Sequence, residues 1–446
     1  MGSRTSLTAL TSLARKTGAA LKTFAQHLFI TLGFFNKNGL TNHAAAGAYG
    51  FLLSAAPMLL IVSFFLIRAF RTTPEAAIAI LNEIPFMDFD EQWPALEFLV
   101  YAPAGVPTLI SMLSIFWAGR VFAVSMQRGI KIVFAGEKTR NAVKENLVTM
   151  AIELVVLLVM LAAILGSRMA LRLYEAAGFF QGTALSHWLV SLGGSYAFRF
   201  SALGFLLYLV FVLIPANPPR RLAALWGSLL CVAAYGAVAM VMGTILEQPR
   251  YNFLYGALGD IVLVLVGVYF FFLCFFFGCQ FAAVANSFDA LLFLRLRETR
   301  TQTSAPFLTR RLFSRADGRL EKYRRLYRQG DIILSQGEQG NDVYYLLEGE
   351  VDVLLPSRSE NSGDGAYRAA AILKAGSFIG EMNYLLSEGR SATIRAKSDV
   401  TALALPPCLF GEILGHDTEL DKSLIENLSR RVKKGNEQIA ALSGGD

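Results

Sequence analysis

A carboxylate and a guanidinium stand nine residues apart near the end of the chain, at Glu381 and Arg390, within GSFIGEMNYLLSEGRSA. A guanidinium binds phosphate oxygens through charge-assisted bonds, and a carboxylate accepts bonds from sugar hydroxyls. Gly380 has no Cβ, so the backbone there can come close to a ligand. Backbone N–H groups at the end of the segment can turn toward a phosphate, namely those of Arg390, Ser391 and Ala392. The segment therefore predicts an anion cradle suited to a cyclic nucleotide, with its ribose hydroxyl and single phosphate charge.

The residues that precede this segment predict the element that would hold it. GDIILSQGEQGNDVYYLLEGEVDVLL alternates apolar and polar residues as short strands do. Four glycines fall where tight turns would join those strands: Gly330, Gly337, Gly340 and Gly349. We expect a small β-roll in front of the cradle.

Together the two stretches resemble the cyclic nucleotide-binding domain family and its phosphate-binding cassette. The resemblance implies that Glu381 binds the ribose and Arg390 the phosphate, with Gly380, Ser391 and Ala392 completing the cradle, and it favours cAMP over cGMP as the ligand. Two positions depart from the family pattern, because many relatives have Pro at Gly389 and a small apolar residue at Asn383. The alternative is a β-roll that has kept its shape and lost its ligand, although a partly buried guanidinium without an anion costs several kcal/mol.

The composition divides the chain into two parts. Of its 446 residues 54% are hydrophobic and only 17% charged, which is too apolar for an ordinary soluble protein. Charged residues are sparse before Asp289 and dense after it. A net charge of +7 is compatible with nucleic acid binding, but basic residues beside membrane spans more often set topology and contact anionic lipid. We therefore expect a lipid bilayer as a partner and no nucleic acid.

The residues that carry most enzyme chemistry form no recognisable cluster. The four cysteines lie in apolar runs or in the charged final part, and the four histidines are scattered along the chain. Neither a disulfide framework nor a CxxC or HxxxH metal site follows from these spacings. We expect no catalytic residues, no metal site and no enzyme activity.

Six apolar runs reach or approach the length of a bilayer-crossing helix. They are Ala44 to Leu66, Pro107 to Met126, Leu147 to Leu165, Gly194 to Ile214, Leu222 to Ile245, and Ile261 to Ala285. Basic residues concentrate in the N-terminal segment and in the second and fourth loops, which places both termini in the cytoplasm. Before the first run, Leu7, Leu10, Ala14, Leu21, Phe24 and Leu28 recur at helical spacing. They predict an amphipathic helix that lies either on the membrane surface or on the protein's own cytosolic face.

The apolar part resembles the YihY/BrkB family of six-span bacterial inner-membrane proteins. NGLTNHAAAGAYGFLLSAAPMLL, IPANPPRRLAALWGSLL and YNFLYGALGDIVLVLVGVYFFFLCFFFGCQFAAV are the matching pieces. The resemblance implies an integral inner-membrane protein linked to transport or envelope lipid. One departure concerns the last span, where relatives have a Gly-x-Glu-x-Asn pattern and this chain has Gly278, Gln280 and Ala282.

Ionisable residues within predicted spans indicate function because isolated charges in hydrocarbon are costly. Arg120 in the second span and Glu153 in the third are our candidates, together with Gln280 in the last. A substrate or lipid-phosphate contact is one reading of Arg120. A snorkelling or internally paired side chain, with Glu153 as its partner, is the other.

We therefore predict a multi-domain protein: an all-α polytopic membrane domain of six transmembrane helices, followed by a cytosolic cyclic nucleotide-binding β-roll with flanking helices. The predicted boundaries are 1–43 for the amphipathic segment, 44–286 for the membrane domain, 287–317 for the connector and 318–446 for the nucleotide domain. The predicted function is a nucleotide-regulated transporter of a small solute or envelope lipid. The alternatives are a membrane-anchored receptor that recruits a cytosolic partner and a ribonuclease, after an old label of the family. A homo-oligomer stays open.

Overall fold

Two units make up the chain in the computed structural model, which describes residues 2–64, 120, 124–134, 195–246, 249–301, 306–313, 318–356, 367–386, 389–422 and 426. One unit comprises Thr31–Asn286 and the other comprises Met1–Ile30 together with Ser287–Asp446. The first 30 residues therefore belong with the C-terminal part of the chain.

Long apolar helices build the unit Thr31–Asn286. They are the end of α1 (Gly2–Lys37), α2 (Leu40–Phe64), α3 (Ser195–Leu213), α4 (Arg221–Leu246) and α5 (Pro249–Asn286). Gly39, with φ +61°, makes the turn between α1 and α2, a conformation that glycine adopts without steric cost. The core of this unit is rich in aromatic side chains, among them Phe211, Phe272, Phe275 and Phe276.

Four of the six predicted spans coincide with helices in the described residues, since α2, α3, α4 and α5 overlap the first, fourth, fifth and sixth runs over most of their length. By length and apolar composition, Arg221–Thr244 and Leu265–Asn286 could cross a membrane, and Phe200–Leu213 is a shorter apolar helix. Most of the predicted second span and all of the third lie outside the described residues. The count of six spans stays a prediction.

Helices α4 and α5 pack against each other through two glycines. A Cβ at Gly227 would lie 2.6 Å from the Gly278 carbonyl oxygen and 2.8 Å from the Ala282 Cβ. A Cβ at Gly278 would lie 2.8 Å from the Gly227 carbonyl oxygen. Small residues let two apolar helices approach closely where dispersion contacts hold them together. No side chain fits at either position unless the helices separate.

We expect Gly227→Ala to destabilise this unit, because the added methyl group meets backbone atoms of α5. Overpacking of this kind costs about 1–3 kcal/mol. Thermal unfolding of the detergent-solubilised protein should show a lower midpoint for Gly227→Ala. Gly243→Ala, on the same helix with nothing within 4 Å of the added Cβ, is the matched control and should leave the midpoint unchanged or raise it. Equal midpoints for the two variants would contradict the close packing.

The second unit contains a β-roll of two four-stranded sheets. Their strand orders are β1-β8-β3-β6 and β2-β7-β4-β5, and the paired strands are antiparallel. The strands are β1 Arg324–Tyr327, β2 Ile332–Leu334, β3 Val343–Glu348, β4 Glu350–Pro356, β5 Tyr367–Lys374, β6 Phe378–Ile379, β7 Thr393–Ala396 and β8 Val400–Leu405. Their inward-facing side chains make the core, which includes Leu334, Leu346, Val351, Ile379 and Ile394.

Positive φ angles occur at three of the four glycines that the sequence assigned to strand turns: +92° at Gly330, +78° at Gly337 and +95° at Gly349. Gly349 joins β3 to β4, and a Cβ there would overlap the Asp399 carbonyl oxygen. Gly340 is not among the positive-φ glycines of the described residues. It lies instead beside the Arg390 side chain, so this glycine provides space rather than a turn.

Short helices flank the β-roll within the same unit. They are α6 (Phe288–Thr301), α7 (Phe307–Phe313), a 3-10 helix (Gly318–Tyr323), α8 (Glu381–Leu386) and α9 (Pro407–His416). Helix α6 has Asp289 in its first turn and Arg300 in its last, the distribution that the helix dipole favours. The predicted connector is therefore helical up to Thr301, while residues 302–305 and 314–317 lie outside the described residues.

Polar contacts hold α6 to the β-roll and to the elements that flank it. The Arg297 guanidinium lies 2.8 Å from the Asp417 carboxylate, and Arg300 donates to the Leu347 carbonyl oxygen at 2.9 Å. At the other end of the helix, the Asp289 carboxylate accepts a hydrogen bond from Lys322 at 2.7 Å. This hydrogen bond raises the pKa of Lys322. Helix α6 therefore has polar contacts with the rest of its unit at both ends.

Candidate ligand-binding site

All five residues predicted for the cradle line a single pocket of the β-roll: Gly380, Glu381, Arg390, Ser391 and Ala392. The apolar wall of the same pocket comes from four strands through Leu334, Val353, Leu373 and Ile394. A pocket with a few convergent polar groups and an apolar wall is typical of small-molecule sites. Its composition suits a ligand with an anionic end and a flat, weakly polar body.

The Arg390 guanidinium is buried at the polar end of this pocket, with the residue only 5% exposed. Its Nη1 donates to the Gly380 carbonyl oxygen at 3.0 Å and its Nη2 to the Asp342 carbonyl oxygen at 2.8 Å. Among the described residues it has no ion-pair partner, and its buried Nε has no hydrogen-bond acceptor. A buried cation with neutral partners alone is costly, and an anion that binds next to it recovers that cost.

Backbone contacts position Arg390 from the loop between β2 and β3. The Gly337 N–H donates to the Arg390 carbonyl oxygen at 2.9 Å, and the Arg390 N–H donates to the Glu338 carbonyl oxygen at 3.4 Å. Next to them, the Gln336 N–H donates to Thr393 Oγ1 at 3.1 Å. The loop therefore holds the arginine on both sides of its Cα.

Gly380 provides the space that the guanidinium occupies. It lies between β6 and α8 with φ +81°, where L side chains are rarely found. A Cβ at this position would overlap Arg390 Nη1. Glu381 follows at once, in the first turn of α8. The strand-to-helix junction thus brings the carboxylate and the guanidinium to the same pocket.

Three features of the pocket were not predicted from the sequence as site features. The Asp342 carbonyl group and the hydrogen of Gly340 both face Arg390, and neither is visible in a pattern of side-chain types. Asn383, which the sequence marked as a departure from the family, is 6% exposed and lines the pocket. The pocket wall therefore carries a buried amide near Glu381.

An aromatic cluster connects the pocket with helix α6. Phe378 lines the pocket, and its ring centroid lies 5.0 Å from Tyr345 and 6.1 Å from Phe293 of α6. Phe410 of α9 lies 5.7 Å from Phe378 on another side. Burial raises the pKa of Tyr345, so its ring stays neutral within the cluster. A displacement of Phe378 would therefore disturb its ring contact with Phe293 of α6.

Two of the three candidates in the unit Thr31–Asn286 lie among the described residues. Gln280 is 4% exposed, and its Oε1 accepts a hydrogen bond from Asn38 Nδ2 at 3.1 Å. Arg120 is exposed, and Glu153 lies outside the described residues. The pairing of Arg120 with Glu153 therefore stays a prediction. Within the described residues, no group of His, Cys, Asp or Glu side chains is arranged to hold a metal ion.

Comparison with protein families gives two matches that together cover most of the chain. The model of the family "Virulence factor BrkB" matches residues 31–293, which is more than half of the chain. The model of the "Cyclic nucleotide-binding domain" matches residues 324–417. The second match contains the pocket and the β-roll.

Individual relatives and a solved structure match about a quarter of the chain. Cyclic nucleotide-gated channel beta-3 of Canis lupus familiaris is 33% identical over 112 residues, 24% of this chain and 13% of the channel. The cAMP-dependent protein kinase regulatory subunit of Dictyostelium discoideum is 31% identical over 107 residues, 24% of this chain and 31% of the subunit. Catabolite activator protein of Thermus thermophilus, a solved structure, is 30% identical with a TM-score of 0.24, covering 27% of this chain and 54% of that one. The chain thus spans a minor part to about half of these relatives.

Proposed function

The chain belongs to the virulence factor BrkB family, a membrane family, and from this membership and its C-terminal cyclic nucleotide-binding domain we propose that it is a nucleotide-regulated protein of the bacterial inner membrane. Six spans with both termini in the cytoplasm would expose the nucleotide domain to the compartment where cyclic nucleotides are made. The proposed output is movement of a small solute or an envelope lipid, without catalysis of a covalent reaction.

The observation that carries the proposal is the buried guanidinium of Arg390. A guanidinium has five N–H groups, and two of them are bonded to carbonyl oxygens of Gly380 and Asp342. The other three, including Nε, have no partner among the described residues. A cyclic phosphate with its single negative charge would accept these bonds, and the Glu381 carboxylate would accept one from the ribose 2′-hydroxyl. The apolar wall would then contact the base.

The ligand that we propose is cAMP. Relatives at 31% and 33% identity over about a quarter of the chain carry cAMP or cyclic nucleotides in their names. The pocket itself contains groups that would bind the phosphate and ribose common to both cyclic nucleotides. Preference for adenine over guanine therefore rests on the relatives, and a titration with both ligands measures it.

Helix α6 is the element that would report occupancy of the pocket. It contacts Phe378 through Phe293 and is fastened to Asp417, just after α9, through Arg297. A ligand that draws Gly380 and Glu381 toward its ribose would shift the neighbouring Phe378. This shift would change the contacts of α6 with Phe378 and Asp417. A coupling free energy of about 1–3 kcal/mol would change the activity of the membrane part several-fold.

Calorimetric titration of the full-length protein in detergent with cAMP and with cGMP tests the sensing part. We expect saturable heat with cAMP and weaker binding of cGMP. The absence of binding with both nucleotides would reject a sensor and leave a β-roll that serves only as structure.

Reconstitution in liposomes tests the proposed output. We expect cAMP to change the release of trapped small ions or the exchange of a fluorescent lipid between leaflets. Nucleotide binding without any such change would favour a membrane-anchored receptor that recruits a cytosolic partner. Cleavage of added RNA in the presence of a divalent metal would instead support the ribonuclease alternative.

A further inference from the structure

Helix α1 has two different faces in the part that precedes Thr31 and belongs to the same unit as α7. One face packs against α7, where Gln26 Nε2 donates to the Leu312 carbonyl oxygen at 2.7 Å and Phe29 lies 5.7 Å from Phe313 between ring centroids. The other face exposes large apolar side chains. Leu21 is 71% exposed, and two further residues on the same face, at helical spacing, are exposed as well: Phe24 and Leu28.

Helix α7 continues the same type of surface. Phe307 and Leu308 are 75% and 61% exposed, although Phe313 of the same helix is buried. Arg310 and Arg311 are exposed beside them, and neither guanidinium has an acidic partner in the described part of the chain. Five large exposed apolar side chains thus lie on two helices that contact each other, together with two exposed guanidinium groups that have no acidic partner among the described residues.

We propose that this α1–α7 surface, formed by Leu21, Phe24, Leu28, Phe307, Leu308, Arg310 and Arg311, docks on the anionic lipid headgroups of the membrane that holds the chain. Apolar side chains flanked by basic ones are the composition of helices that lie in a membrane interface. The guanidinium groups match the negative charge of the headgroups, and the side chains of Leu and Phe enter the acyl boundary. This docking is independent of nucleotide binding.

The length of the chain allows this contact. Leu28 precedes the start of α2 by 12 residues, and Phe307 follows Asn286, the end of a helix long and apolar enough to cross a membrane, by 21 residues. Helix α1 itself continues to Lys37, and α6 begins two residues after Asn286. Both parts of the surface therefore lie close in sequence to long apolar helices.

Lipid fits this surface better than nucleic acid does. Three of the five exposed apolar residues are leucines, Leu21, Leu28 and Leu308, which have no aromatic face on which a base could stack. Nucleic-acid surfaces combine positive charge with stacking side chains. Acyl chains, by contrast, accept aliphatic and aromatic side chains equally. The mixture favours a lipid interface.

Hydrogen–deuterium exchange of the full-length protein in nanodiscs tests the proposal. One set of discs contains phosphatidylcholine alone and the other also contains phosphatidylglycerol. A basic residue near an anionic surface strengthens its binding by about fivefold, so two of them should slow amide exchange in residues 17–30 and 306–313 by about 25-fold in the anionic discs. Added salt should reduce this difference.

Variants that remove charge test whether the α1–α7 surface, and not another part of the protein, causes the difference in exchange between the two lipids. Arg310→Gln with Arg311→Gln should remove the difference between the two lipids, and Leu308→Ser should reduce protection in both. The control, Lys374→Gln with Lys397→Gln, removes the same charge from exposed lysines that pair with Glu350, and should leave the difference intact. Equal exchange in both lipids for the wild type, or an undiminished difference in the double arginine variant, would overturn the proposal. Protection by single-stranded RNA in phosphatidylcholine discs would overturn it as well.

Discussion

Arg390→Ala should weaken cyclic nucleotide binding by at least about 100-fold. Hydrogen bonds to charged groups contribute about 1.5–3 kcal/mol each, and a guanidinium can make two of them to one phosphate. The wild-type side chain has three N–H groups without a partner among the described residues, so the ligand would gain these bonds without breaking others. Calorimetric titration of the wild type and the variant with cAMP measures the difference.

Two further arginine variants show which property of Arg390 matters. Arg390→Lys keeps the charge but loses the planar fork, so its affinity should lie between those of the wild type and the alanine variant. Arg395→Ala, five residues away, removes an exposed guanidinium that pairs with Asp352 at 3.6 Å. It should leave nucleotide affinity within about twofold, as expected for a surface ion pair worth less than about 1 kcal/mol.

Because Arg390 also holds two backbone carbonyl groups, folding of the alanine variant has to be checked. The loss of both bonds should lower the unfolding midpoint of the β-roll without preventing folding. A variant that unfolds at nearly the wild-type temperature and still binds cAMP with wild-type affinity would refute the phosphate contact. The proposed function would then lose its main support.

Gly380→Ala should lower nucleotide affinity by about tenfold or more although it leaves every charged residue in place. The methyl group would overlap Arg390 Nη1, so the guanidinium has to leave its position between the two carbonyl groups. Its displacement removes the preorganised donors that a phosphate would meet. The affinity for cAMP, measured by displacement of a fluorescent analogue from the full-length protein, shows the effect.

Gly376→Ala is the matched control for this substitution. Gly376 has φ +93°, and an added Cβ would meet nothing within 4 Å. Both variants therefore share the strain of an L residue at positive φ, about 1–2 kcal/mol, but only Gly380→Ala disturbs the arginine. We expect a loss of affinity for Gly380→Ala alone, and a larger loss of stability than for Gly376→Ala because Arg390 also leaves its two carbonyl acceptors. Equal affinities would show that the guanidinium can move without consequence.

The convergence of the five predicted residues on one pocket was predictable because they lie in a short segment. Glu381 begins the short helix α8 and Arg390 lies just before strand β7, so residues that are close in sequence are also close in space. The glycine positions before them likewise predicted turns of the β-roll, with Gly340 as the exception. Local spacing was sufficient wherever the contacts were local.

Contacts between distant residues could not be predicted in this way. The Asp342 carbonyl group that holds Arg390 is a backbone atom 48 residues away, and Asn38 is 242 residues from Gln280. The amphipathic pattern of α1 left two positions open, on the membrane or on the protein. The structure shows one face packed on α7 and the other exposed. The helical repeat in the sequence distinguishes two faces but does not show what each of them contacts.

The contact between α1 and α7 has a consequence for biosynthesis. Gln26 and its acceptor Leu312 are separated by 286 residues, so at typical elongation rates of about 5–20 residues per second the ribosome needs roughly 15 to 60 s to complete the pair. During that interval the amphipathic N-terminus has emerged without its protein partner and is exposed to chaperones and proteases. An early interaction with lipid would shelter it until the last third of the polypeptide is made.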